Sequence, residues 1–185
     1  MAAWYVATSG WRHPTWKGTF YSRGLTRGRE ETPADFRFAV KAWRRLTHHR
    51  RLDVTDDGLA AFSTCLDLLG EKAPVVLVQL PPRFPADPDL LDGFLRRWPD
   101  GRRLAFEFRD PAWHTDAVFR VLRTHNAAFV PFELGDERAP AVATADFVYV
   151  RLHGREAKYR GRYDEAALGA WADWLRGHVA EGRDA

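Results

Sequence analysis

Cysteine is almost absent from this chain of 185 residues: Cys65 stands alone. A single thiol excludes an intrachain disulfide and a thiolate metal cage, and a cytoplasmic location is the expectation. Long apolar runs are also missing. No stretch approaches the roughly 20 residues a membrane span needs, so no membrane partner is expected. The opening MAAWYVATSG lacks a basic segment followed by an apolar one, so no signal peptide is expected. Charge of one sign is not in large excess. The 28 Lys and Arg against 25 Asp and Glu leave a formal net charge of +3. That balance permits an anionic partner without demanding one, and the pI near 9.2 reflects mainly arginine. Repeats, low-complexity tracts and linkers are absent, which argues for one domain spanning 1–185.

What is present is a soluble globular composition, 45% apolar and 29% charged, with eight tryptophans suited to a large aromatic core or a lined cleft. Short apolar segments alternate with amphipathic ones. Expected strands are Trp4–Thr8, Phe36–Lys41, Val75–Leu80, Leu104–Arg109, Ala128–Phe132 and Phe147–Leu152. Helices are expected between and after them. Thr55-Asp56-Asp57 caps a stripe of Leu59, Phe62, Leu66 and Leu69. Asp87-Pro88 precedes Leu91, Phe94 and Leu95. Thr115-Asp116 opens a helix with Val118, Phe119 and Leu122, closed by Asn126 in a left-handed conformation. Asp164 opens the last, with Leu168, Trp171, Leu175 and Val179 on one stripe. Strands alternating with helices point to a parallel sheet, and both an open doubly wound sheet and a (β/α) barrel satisfy the pattern.

The strand ends carry the chemistry. FRFAVK ends in Lys41, VVLVQLPP carries Gln79, LAFEFRD carries Glu107 and Arg109, and FVYVRLHG carries Arg151 and His153. Alternate residues share a face, so Glu107 aligns with Arg109, and Arg151 with His153. One such pair is most often structural. Repetition at four strand ends points to a common ligand-binding mouth. Lys41, Arg109 and Arg151 against one obvious carboxylate favour an anionic ligand, and they argue against a two-carboxylate glycosidase or an all-carboxylate cation cage. His48 and His49 cannot both face one point, so one of them is expected to line the mouth, and His48 and His153 can add to its positive charge. Trp11, Trp16 and Trp113 follow strands and are placed to wall the cleft. No HExxH, CxxC, GxSxG, GxGxxG or P-loop is present, and no metal site is expected.

TSGW, WKGTFY, TPADFRFAVK, THHRRL, VLVQLPPRF, LAFEFRDPAW, YVRLHG and YRGRY, in this order, resemble the YecE-like family, the bacterial domain-of-unknown-function 72 family. The resemblance runs from about Val6 to about Leu175. It implies a TIM-like (β/α) barrel whose activity is not established. It matches Gly10, Trp11, Lys41, Thr47, His48, Gln79, Pro81, Pro82, Glu107, Arg109, Trp113, Arg151, His153, Gly154, Tyr159 and Tyr163 to the family's motifs. Two family segments have no counterpart here: a second strand after the first FY motif, and a final strand after the last helix. The resemblance therefore implies an incomplete TIM-like (β/α) barrel of about six parallel strands with crossover helices.

The expected catalytic residues are Glu107, His153 and His48. The expected ligand contacts are Trp11, Lys41, Gln79, Arg109, Trp113, Arg151 and Tyr159. Glu107 acts as general acid or base, the cations clamp an anionic small molecule or phosphodiester, and His48 or His153 transfers a second proton. Hydrolase-type chemistry is one form of this reading. A non-catalytic nucleic-acid or anionic-ligand binder, using Arg44-Arg45, Arg50-Arg51, Arg96-Arg97 and Arg102-Arg103, is another, with weak and unspecific binding. An inactive, internally deleted family member is the third. SRGLTRGREE after Tyr21 has no apolar run to form a buried strand, and the residues beyond Val179 are polar. Trp4–Thr8 is accordingly expected at an edge open to self-association.

Overall fold

The structure, a computed structural model, describes residues 2–7, 32–99, 101–157 and 159–185. Expectations that fall on Thr8, Trp11, Trp16 and the SRGLTRGREE stretch lie outside these residues.

Three strands form where β-branched and aromatic residues concentrate: β1 (Ala39–Lys41), β2 (Val75–Leu80) and β3 (Arg103–Phe108). A fourth, β4 (Ala128–Phe129), completes a parallel sheet in the order β1-β2-β3-β4. Helices α1 (Asp56–Asp67), α2 (Pro88–Arg96) and α3 (Asp116–Thr124) connect successive strands. Each opens on the expected cap, with Thr55, Asp87 and Thr115 accepting from the backbone N–H three residues on. Asn126 closes α3 at φ 50°, a conformation asparagine tolerates.

The expected strand Ala128–Phe132 is two pieces. Pro131 lacks the N–H that a ladder requires, so β4 stops and β5 (Phe132–Leu134) restarts beyond it. β5 anchors a second sheet, ordered β6-β5-β7, pairing antiparallel with β6 (Glu137–Arg138) and parallel with β7 (Arg151–Leu152). The antiparallel β6 has no counterpart in the expected pattern. Phe147–Leu152 is likewise shorter than expected, reduced to β7 and a single bridge at Phe147.

The last helix, α4 (Glu165–Ala180), is capped by Asp164 as expected, but it contains no fully buried side chain. Its stripe is a partly covered surface, and Leu168 is exposed. At the tail, Asp184 bridges Phe147 in parallel sense, and Ala185 exchanges backbone hydrogen bonds of 2.8 and 2.9 Å with Tyr5 and Ala3. Among the described residues, no strand forms beyond α4, in line with the expectation for the polar tail, which contributes a single isolated bridge and a few backbone hydrogen bonds. Pairing uses backbone groups, which polar residues carry as well as apolar ones. Trp4–Ala7 is not a regular strand, and Val6 is 99% exposed.

The sheet divides the core. Val76, Val78, Leu80, Leu104, Phe106 and Phe108 face the helices and meet Phe62, Leu91, Phe94 and Leu122 in one large cluster. Alternate positions Leu77, Ala105 and Ala128 face the other way and form a smaller cluster with Val130 and Phe147. Among the described residues, no helix is long and apolar enough to cross a membrane.

Candidate functional site

Glu107 sits near the C-terminal end of β3, in register with Gln79 of β2. Alternation places both on the face of the smaller cluster, beyond Leu77 and Ala105, where parallel strands end. Neighbouring strands add the rest. Lys41, the last residue of β1, donates from Nζ to Gln79 Oε1 at 2.8 Å. Arg151, the first residue of β7, donates from Nη1 to Glu107 Oε2 at 2.7 Å and to Gln79 Oε1 at 3.5 Å. Arg109 Nε lies 2.5 Å from Glu107 Oε1, an ion contact without hydrogen-bond alignment. Its guanidinium rests 4.4 Å above the Phe132 ring, so an always-charged group is buried against a π face.

His153 closes the chain of contacts. Its Nε2 lies 3.1 Å from Arg109 Nη2 and 3.7 Å from Glu107 Oε2. Arginine only donates, so the neutral ring accepts from Arg109. A protonated ring instead presents its Nε2–H to Glu107. Gly154 follows at φ 98°, and a Cβ there would stand 2.2 Å from the Arg160 carbonyl oxygen, so the RLHG turn requires glycine. Tyr163 Oη accepts from the Gly154 N–H at 3.1 Å, and Tyr159 meets the His153 ring edge-on at 5.5 Å.

Burial alone would raise the Glu107 carboxyl. The approach of His153 and the Arg151 and Arg109 charges outweigh it and hold the group below the usual range, ionised. Lys41 is shifted down, first by burial and then by the Arg151 charge, with Glu107 opposing. His48 is shifted down by burial, Arg44 and Lys41, and its Nδ1 is engaged by Thr47 Oγ1 at 2.8 Å. Among the described residues, Arg109 and Arg151 contact the carboxylate and Lys41 adds a third basic group by way of Gln79.

The structure brings together Lys41, Gln79, Glu107, Arg109, Arg151 and His153, with Tyr159 exposed beside His153 and His48 within charge range of Lys41. Trp113 is not with them. It is fully buried, stacks on Phe108 at 4.7 Å and donates from Nε1 to the Phe84 carbonyl at 2.7 Å. That indole belongs to the helix-side core, which corrects its expected place as a cleft wall. Trp11 lies outside the described residues. Among the described residues, no three His, Cys, Asp or Glu side chains are grouped to hold a metal ion.

A second buried carboxylate, Glu133, escaped the sequence reading. It is 2% exposed, accepts from Trp171 Nε1 at 3.0 Å, and lies 2.5 Å from Arg138 Nη2 and 3.6 Å from Arg155 Nε. It borders a cleft of about 750 Å³ between β5, β6 and α4. Its register partner is Leu152, not Arg151, so it is directed away from Glu107. The visible signal was its place in FEL, with Glu between two apolar residues.

Comparison with known proteins follows the same lines. The chain is 27% identical over 197 residues to the UPF0759 protein YunF of Bacillus subtilis (strain 168), covering 85% of this chain and 69% of that one. A crystal structure of a DUF72 family protein from Thermotoga maritima MSB8 superposes with a TM-score of 0.79 at 24% identity, covering 95% of this chain and 87% of that one. A DUF72 family protein from Enterococcus faecalis V583 gives a TM-score of 0.67 at 16% identity, covering 80% of this chain and 66% of that one. The family model described as "Protein of unknown function DUF72" matches residues 25–185. By that match over most of its length, the chain belongs to the DUF72 family.

Proposed function

We propose that this chain binds a small phosphate- or carboxylate-bearing anion at the mouth formed by its strand ends, and acts on it as a hydrolase-type enzyme. The reading takes residues 1–185 as one domain and the two sheets as part of a TIM-like (β/α) barrel, whose C-terminal face is where such folds place chemistry. The observation that supports it is the contact chain Lys41–Gln79–Arg151–Glu107–Arg109–His153, which carries three cations and one carboxylate. The surplus positive charge suits an anion, and guanidinium is the group best matched to phosphate or carboxylate oxygens. Glu107, held ionised, is a general base for a water or a ligand hydroxyl. His153, able to accept from Arg109 or donate to Glu107, carries the second proton.

Titration calorimetry with inorganic phosphate and with malonate tests the reading. At least one of them is expected to bind, with Arg151→Gln weakening the interaction tenfold or more. Absence of heat from both anions overturns it. A second reading has one observation behind it: exposed Arg44 is close enough to Lys41 and His48 to shift both downward, extending the positive field to the rim. A nucleic-acid backbone would use that field, with affinity falling steeply as salt rises.

A further inference from the structure

Four of the 28 basic residues are lysine: Lys17, Lys41, Lys72 and Lys158. In a chain so committed to arginine, one of the four stands at the strand-end mouth, sharing Gln79 Oε1 with Arg151 and within charge range of Arg109 and Arg44. An anion clamp alone gives no reason for that choice. A guanidinium stays charged, reaches two oxygens at once and loses less freedom on binding. What an amine offers and a guanidinium does not is a nitrogen lone pair.

From the position of this amine we infer that Lys41 is a nucleophile, forming a Schiff base with a small aldehyde or ketone that carries an anionic group. The inference rests on the anion-binding reading, since the two guanidinium groups of the mouth, Arg151 and Arg109, are what would hold the carbonyl compound in place once Lys41 gives up its proton.

The surroundings fit such a step. Lys41 closes β1, and among the described residues its Nζ is held by a neutral partner, Gln79 Oε1 at 2.8 Å, and not by a carboxylate that would fix it as ammonium. Glu107, the buried carboxylate nearby, is engaged by Arg151 and Arg109. The Lys41 side chain reaches solvent at the rim, while partial burial and the adjacent Arg151 charge shift its amine downward, the direction seen in lysines activated next to another cation. His48 lies within charge range, and among the described residues Thr47 engages its Nδ1, so Nε2 is the nitrogen that carries protons.

The step balances without an outside reagent. The Nζ lone pair forms the C–N bond as the carbonyl π pair moves to oxygen. One amine proton passes to that oxygen by way of His48, giving a carbinolamine. The hydroxyl then leaves as water with the second amine proton, and the nitrogen lone pair forms the C=N bond. One amine and one carbonyl become one imine and one water, with no change in oxidation level.

Reductive trapping tests this. The protein is incubated with pyruvate, or separately with dihydroxyacetone phosphate, and sodium cyanoborohydride is added to deliver hydride to the imine carbon. Intact mass and peptide mapping then locate the product. The expected result is one adduct per chain, saturable in probe and at least tenfold enriched on Lys41 over Lys72. It should be lost in Lys41→Arg while the melting temperature is kept. The pyruvate and phosphate arms distinguish a carboxylate from a phosphate handle. Calorimetry with the same probes, without reductant, separates the two claims. Binding with no adduct, or with adducts spread evenly over the lysines, overturns the Schiff base and leaves the anion site standing. Neither binding nor adduct overturns both.

Discussion

Glu107 shows how neighbours set the behaviour of one side chain. It is fully buried, yet two arginines and His153 keep it ionised. An apolar side chain in its place leaves Arg109 and Arg151 without their counter-charge. Glu107→Leu is expected to cost about 3–5 kcal/mol, the range for breaking a buried ion pair, measured by urea unfolding. The pH dependence has a definite sign. The folded carboxyl lies below its ordinary value of 4.5, so its stabilisation is complete above that value and is lost as pH falls through the lower folded one. A wild-type protein whose stability stays flat on acidification below 4.5 would contradict this. The i, i+2 spacing of Glu107 and Arg109 made the pairing legible, because strand alternation puts them on one side. Glu133 was not legible in the same way, because Arg138, Arg155 and Trp171 reach it from three other segments. Trp113 was misplaced for a local reason. Asp110 accepts from the Ala112 N–H at 3.0 Å, capping a short 3₁₀ turn, Pro111–Trp113, that carries the indole back onto Phe108.

Helices were more legible than strands. A cap is written in two or three adjacent residues, and Thr55, Asp87, Thr115 and Asp164 all act as expected. Strand limits depend on what pairs alongside, and Pro131 breaks a segment whose apolar run is otherwise continuous. Burial also ranks the helices. α2 inserts Leu91, Phe94 and Leu95 into the large cluster, whereas α4 contributes no fully buried side chain. Asp87→Ala should therefore lower global stability by about 1 kcal/mol, the usual worth of an N-cap. Asp164→Ala should lower it by less, since α4 is less coupled to the core. Hydrogen exchange gives the independent check: α4 amides should exchange ahead of those in α2, and the reverse order would refute this ranking.

At the scale of the whole molecule, one carboxylate joins distant segments. Asp184 Oδ1 accepts from the Ala3 N–H at 2.9 Å, and Oδ2 accepts from Arg103 Nη1 at 2.5 Å. Its backbone carbonyl accepts from the Val148 N–H at 2.8 Å. The Arg103 hydrogen bond, then the Ala3 N–H, hold this carboxyl below its ordinary value of 3.8. Its contribution is present above that value and fades as pH falls through the lower folded one. Asp184→Asn is expected to cost about 1–3 kcal/mol, as for a hydrogen bond to a charged group, and to loosen residues 3–5 first. Proteolysis near Tyr5 that is no faster in the variant would count against it. Because the Ala3 carbonyl and the Ala185 N–H are 2.9 Å apart, the path of the backbone nearly closes on itself. A short glycine bridge between these positions would turn the chain into a covalent ring with little change to the fold. The unfolded ring would lose about 4–5 kcal/mol of loop freedom for a loop of roughly 180 residues. Such a ring can be reopened at an exposed connection, giving circular permutants that keep the mouth whole while placing new chain ends far from Ala3 and Ala185.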